Sequence, residues 1–207
     1  MRRIVISEDV PAEGELRVPI GSLITATARE LAASRGVRIL EVPEDQISAV
    51  ASPEMTLALG ADHGGFHLKE VLRPIIESLG LSVRDVGVHE AQTADYPDIA
   101  HKVAQLVAQG AATRGVIVDG AGIGSCMAAN KVPGVRAALC YDKASARNSR
   151  EHNDSNILTL GGRLLTENQA EDVLRTWLAT PFGGGRHRAR VQKIAEIERQ
   201  YSKKASS

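Results

Sequence analysis

Aromatic residues are scarce in this chain of 207 residues, at 3%, with one tryptophan, two phenylalanines and three tyrosines. Any core is therefore built from Val, Ile, Leu and Ala, and an apolar content of 43% supplies enough of them for a real one. Cysteine is also rare. Two of them, Cys126 and Cys140, cannot make a disulfide framework. Neither sign of charge dominates, with 25 basic against 25 acidic residues. That balance leaves no global basic field for nucleic acid and no acidic solvating tail. No apolar run approaches a membrane span or a signal peptide, so the expected setting is a reducing cytosol with no membrane partner. Internal repeats and low-complexity segments are missing too. The length suits one ordinary domain with an appendage.

Residues 1 to 55 read differently from the remainder. Arg3 to Ile6 and Val37 to Leu40 read as short strands. A turn is expected from Ser7 to Pro11, helical spacing from Leu23 to Arg35, and a stop at Gly36. This unit is small for a strong core, and the segment from Ser48 to Pro53 reads as a tether. From Thr56 onward, short aliphatic strands alternate with helical patterns. Strands are expected at Leu57–Leu59, Ser82–Val86, Val116–Val118, Arg136–Cys140 and Asn156–Leu160. Helices are expected over 66–79, 99–108, 125–131, 143–151, 167–179 and 189–200, with Pro74 kinking or breaking the first. This alternation predicts an α/β fold: a doubly wound, Rossmann-like parallel sheet flanked by helices, with a small N-terminal extension. The expected division is an extension of 1–55 and a main domain of 56–207.

Ligands of such sheets bind beyond the carboxyl ends of the strands. The loops there are rich in polar groups. Asp62 and His63 precede Gly64-Gly65 at a helix start, and His152-Asn153-Asp154 and Gly161-Gly162-Arg163 come later. Between them lies Asp119-Gly120-Ala121-Gly122-Ile123-Gly124-Ser125-Cys126, where three alternate glycines can aim backbone N–H groups at an anion. Arg186 and Arg190, four apart beside His187, would share a helical face, and guanidinium forks suit phosphate. His67, His89 and His101 belong to no such group and read as ordinary structural histidines.

Taken together, Ala61-Asp-His-Gly-Gly-Phe66, Asp95-Tyr-Pro-Asp98, Gly120–Gly124 with Ala128-Ala-Asn-Lys131, Arg150–Asp154 and Gly184-Gly-Arg-His187 resemble the B-type ribose-5-phosphate isomerases. The galactose-6-phosphate isomerase subunits are close relatives, and the resemblance covers roughly residues 56 to 198. It implies a homodimer, with further pairing to a tetramer open, that interconverts aldose and ketose phosphates through an enediolate without metal or cofactor. It implies that Gly120, Ala121, Gly122, Ile123 and Gly124 hold the enediolate and that His152 opens the sugar ring. Asp62, His63, Tyr96 and Asn153 would bind the sugar. Arg163 and, from the partner subunit, Arg186 and Arg190, with His187 beside them, would hold the phosphate.

The proton-abstracting base is where this chain departs from the family pattern. Many members carry cysteine where Asp119 stands, and another branch carries glutamate where Ser125 stands. Asp119 has suitable chemistry, and Cys126 offers a thiol that the helix dipole would make more acidic. A chain using neither would have altered chemistry or would only bind sugar phosphates. Ala121 replaces a frequent threonine, which keeps a hexose or deoxy-sugar phosphate open as substrate beside ribose 5-phosphate. Gly21 to Ile39 resembles short extensions of bacterial microcompartment enzymes. That implies recruitment to a shell or partner enzyme; the alternative is a decoration packed on the dimer.

Overall fold

The computed structural model describes residues 4–5, 9–10, 14–43, 55–90 and 93–202, without the side chains of Ile4 and Arg17. The expected turn through Ser7, Glu8 and Pro11 and the tether from Ser48 to Pro53 lie outside those residues. The chain divides into two compact units, Met1–Pro53 and Glu54–Ser207.

In the first unit, β1 (Ile4–Val5) pairs in parallel with β3 (Leu23–Ile24), and β2 (Glu15–Pro19) with β4 (Arg38–Val42). Helix α1 spans Ala26–Arg35 and does not start at Leu23, because Leu23 and Ile24 are taken by β1. Thr25 caps it, its hydroxyl accepting from the Ala28 N–H, and Gly36 closes it at φ 67°. Val5, Val10, Val18, Ala28, Ala32 and Val37 form a small aliphatic core.

The second unit holds a five-stranded, all-parallel sheet of β5 (Thr56–Ala61), β6 (Ser82–Asp85), β7 (Arg114–Asp119), β8 (Ala137–Leu139) and β9 (Ile157–Gly161). Its order is β6-β5-β7-β9-β8. Strand periodicity sends Leu57, Leu59, Val116, Val118, Leu158 and Leu160 to one face, and Ala58, Ile117 and Ile157 to the other. On the first face pack α2 (Phe66–Ser78), α5 (Lys143–Glu151) and α6 (Glu167–Ala179), bringing Leu72, Ile76, Ala146, Leu174 and Trp177. On the second pack α3 (Tyr96–Ala108) and α4 (Ile123–Ala129), bringing Ala100, Val103, Ala104, Val107 and Ala129. A last helix, α7, spans Gly185–Ser202. This is the expected doubly wound α/β fold.

Several helices differ from expectation: α4 begins at Ile123 and ends at Ala129, and α7 begins four residues early, at Gly185. Pro74 leaves α2 unbroken, because Leu68, Leu72 and Ile76 anchor its apolar stripe against the sheet on both sides of the proline. Helix α3 starts three residues early, with Asp95 at its N-cap and Pro97 in the first turn, where a missing N–H costs nothing.

Candidate active site

The strand order reverses between β5 and β7, so a crevice opens at their carboxyl ends. Two loops fill it. In the first, the buried Asp62 follows β5, and its Oδ1 accepts the Gly65 N–H at 3.0 Å. A side chain on Gly65 would overlap the Val118 carbonyl, so glycine lets α2 start directly on the end of β7. A side chain on Gly64 would reach 3.1 Å from the Gly120 nitrogen and 3.3 Å from Asp62 Oδ1, so the two loops touch there.

The second loop turns on Gly122, at φ 78°, into α4. Asp119 Oδ1 accepts the N–H groups of Ala121, at 2.8 Å, and Gly122, while Oδ2 accepts that of Ser125 at 3.0 Å. The expected proton-abstracting role of Asp119 therefore meets a different geometry. This buried carboxylate is occupied by its own loop, and Ala121 and Gly122 direct their N–H groups to it and away from any ligand. The hole shrinks to three groups: the N–H of Gly120, Ile123 and Gly124, which make no hydrogen bond among the described residues. Tyr96, half-exposed, lies against this loop; a Cβ on Gly124 would be 2.5 Å from its ring. The stem of Arg163 passes Gly120, and the Arg163 N–H donates to the Gly120 carbonyl at 3.1 Å. His63 is exposed.

Cys126 turns away from the crevice. Its thiol faces the Ala137 carbonyl at 3.4 Å and receives Asn130 Nδ2 at 3.6 Å. Burial pushes the thiol pKa up, partly countered by the Asn130 amide, so the expected acidification at the helix start is reversed. The structure corrects that expectation, since desolvation is the largest influence on this thiol. Cys140 is likewise buried and its thiol raised.

Sequence reasoning missed Lys69. Its side chain has no exposure, and Nζ donates to Asp85 Oδ2 at 2.7 Å and to the Val88 carbonyl at 2.8 Å, with Glu70 at 3.0 Å. It thereby pins the segment leaving β6 towards Tyr96. The signal was present: Lys69 stands three residues before Leu72 and seven before Ile76, on the buried stripe of α2.

The remaining expected residues form a second cluster. His152 caps α5, its Nδ1 is 2.9 Å from Asn148 Nδ2, and its ring stacks on His187 at 4.2 Å and 7°. Asn153 Nδ2 faces the Asn148 carbonyl at 3.4 Å. Arg186 and Arg190, both exposed, sit one turn apart at the start of α7. Desolvation, then the neighbouring His152, Arg186 and Arg190, lowers the His187 pKa. Because α5 runs antiparallel to the strands, this cluster lies at the amino edge of the sheet. Asp154 bonds Arg136 there, just before β8, with Nε to carbonyl at 2.9 Å. The glycine loop is on the carboxyl edge, so one chain does not bring His152 or Asn153 to Asp62. Helix α7 has no buried residue; Ile194, Ile197 and Tyr201 stay exposed along a groove of about 730 Å³ floored by Val135 and Ala137.

Residues 57–194 match the model of a family described as Ribose/Galactose Isomerase. Among curated relatives, the ribose-5-phosphate isomerase B of Escherichia coli is 40% identical over 145 residues, covering 70% of this chain and 97% of its own. A D-erythrulose-4-phosphate isomerase of Pectobacterium atrosepticum is 35% identical over 147 residues, covering 70% and 97%. Among solved structures, the ribose-5-phosphate isomerase B of Clostridium thermocellum superposes with a TM-score of 0.70 at 48% identity, covering 71% of this chain and 99% of that one.

Proposed function

We propose ribose 5-phosphate as the substrate of this chain, which belongs to the ribose/galactose isomerase family and is an aldose–ketose sugar-phosphate isomerase. Supporting that substrate is the identity of about 40% to 48% with relatives named for it, over nearly their whole length. In this reading the N–H groups of Gly120, Ile123 and Gly124 hold the enediolate oxygen. Asp119 holds the loop in the shape that aims them. Tyr96 and His63 line the sugar, and Arg163 reaches over the loop towards the phosphate.

The observation that carries the rest of the reading is the split of expected site residues between opposite edges of one sheet. A phosphate clamp of Arg186 and Arg190, a ring-opening His152 and a sugar-binding Asn153 can act on this crevice only if a second copy supplies them. The active unit is then a homodimer with two composite sites, and the uncovered apolar side of α7 suits burial against that copy.

A panel assay with ribose 5-phosphate, a tetrose 4-phosphate and galactose 6-phosphate tests the substrate, with ribose 5-phosphate expected to give the highest kcat/KM. The tetrose is included because of the erythrulose-phosphate relative. Mixing inactive Gly122→Val and Arg186→Ala chains, after subunit exchange, tests the composite site. Recovery towards a quarter of the wild-type sites is expected. No recovery from exchanged dimers refutes it.

A further inference from the structure

We propose that Asp62 is the base that moves the proton between the two substrate carbons. This rests on the isomerase reading above and assigns the group that performs its central step. Asp119 is the first carboxylate at the crevice, and the N–H groups of Ala121, Gly122 and Ser125 occupy both its oxygens. Cys126 faces β8, and burial keeps its thiol protonated. Ser125 is buried, its hydroxyl aimed at no acceptor, and an alcohol beside a carboxylate-filled turn lacks a partner to take its proton. His63 stands in solvent, where water exclusion gives a base no advantage.

Asp62 differs from all of these. It is 7% exposed, at the switch point where the strand order reverses. Only Oδ1 is engaged, by the Gly65 N–H at 3.0 Å, and this bond fixes the carboxylate rotamer. Oδ2 has no hydrogen bond among the described residues and is not one of the sealed, unpartnered side-chain atoms, which are Ser125 Oγ and Thr159 Oγ1. It is therefore a held, accessible oxygen with lone pairs to spare. The Gly120 nitrogen and Asp62 Oδ1 both lie within 3.3 Å of one point, the position a Cβ on Gly64 would take. A base and the first donor of the enediolate hole thus flank the same small space, as carbon deprotonation beside a developing oxyanion requires.

The step balances without a co-reactant. Oδ2 takes the C2 proton of the open-chain aldose, the C–H electron pair becomes the C1–C2 double bond, and the carbonyl oxygen takes up the negative charge in the hole. A proton passes from O2 to O1, and Asp62 returns its proton to C1 as the C2 carbonyl forms.

The test is solvent-deuterium incorporation and turnover by the full chain, run on whichever panel sugar phosphate the wild type converts best. Asp62→Asn keeps the oxygen that accepts from Gly65 and loses the base. Its kcat is expected to fall by about 10² to 10⁴ with KM within a few-fold. Deuterium incorporation should fall in parallel. Asp62→Glu should recover at least about tenfold over the asparagine variant, because a carboxylate returns. The acid limb of the kcat/KM profile should disappear in Asp62→Asn and persist in Asp119→Asn. Wild-type exchange by Asp62→Asn, or a loss confined to KM, overturns the proposal. A wild type that works on another panel sugar and not on ribose 5-phosphate overturns only the substrate reading, and the Asp62 ratio is then read on that sugar.

Discussion

Replacing Lys69 by methionine removes one half of a buried ion pair and should be among the most damaging single changes available in this chain. Lys69 has no exposed side-chain surface and Asp85 has 6%, with 2.7 Å between their charged atoms. Methionine refills the aliphatic stem, so the loss is electrostatic and not a cavity. It leaves Asp85 ionised and buried, with the Gly87 N–H at 2.9 Å on Oδ1 and Arg73 3.9 Å from Oδ2 as its remaining support. It also strips the Val88 carbonyl of its donor. Breaking a buried pair in this way costs about 3–5 kcal/mol. Arg73 is partly exposed and can swing closer, which places the expected cost near the low end, at about 3 kcal/mol. At a urea m-value of about 2 kcal/mol/M the midpoint falls by about 1.5 M. Trp177 is the single tryptophan, fully buried in the second unit and bonded to Ser155 Oγ at 2.8 Å, so its fluorescence follows that unit alone. Asp85→Asn keeps the acceptor for Gly87 and discards the charge. The double variant should therefore be more stable than the sum of the two losses by about 1–3 kcal/mol. A Lys69→Met midpoint within 0.3 M of wild type, at an m-value of about 2, would refute the reasoning.

Other consequences are open to direct measurement. Gly65→Ala should cost at least about 3 kcal/mol and abolish turnover, since its methyl would overlap the Val118 carbonyl of the central strand and backbone there cannot yield; a soluble, active alanine variant would contradict it. In folded protein, alkylation of Cys126 should lag behind a free thiol at pH 8, and Cys126→Ala should retain wild-type kcat. Both thiols are raised in the folded state, so their stabilising contribution is complete below the ordinary value of 9.0. It is lost as pH climbs past 9.0, because the unfolded chain ionises first. Urea midpoints measured from pH 7 to 10 should fall over the upper part of that range; a flat series would count against burial as the cause. The His187 imidazole should titrate below 6.5 by NMR, and His152→Ala should bring it upward by removing the stacked neighbour. Since its folded value is the depressed one, the stack contributes above pH 6.5 and weakens as pH falls; an unmoved His187 midpoint in the variant would show that His152 does not act on it.

Aliphatic periodicity was enough to read β5, β7 and β9 and the helices between them. A strand buried on both faces has to be a continuous apolar run, and a helix facing a sheet has to repeat its stripe. It failed at Leu23 and Ile24, where a helical spacing lies within a strand pair that only the distant β1 can complete. It also passed over β2, whose partner β4 lies some twenty residues on. Lys69 was readable on the stripe of α2, but its carboxylate and carbonyl partners sit on a different strand and loop.

By itself the sequence determined the two-faced parallel sheet, the family, and the loops on which the polar groups sit. Local spacing and residue chemistry carry those properties. Tertiary structure alone decided which groups meet. Asp119 binds N–H groups two, three and six residues ahead because Gly122 turns the chain at φ 78°, and that closure engages both oxygens of the carboxylate. Burial, a property of the packed sheet, reversed the acidity expected of Cys126. The antiparallel run of α5 carried His152 and Asn153 to the opposite edge of the sheet from Asp62, a separation that residue order does not reveal and that the proposed homodimer would span.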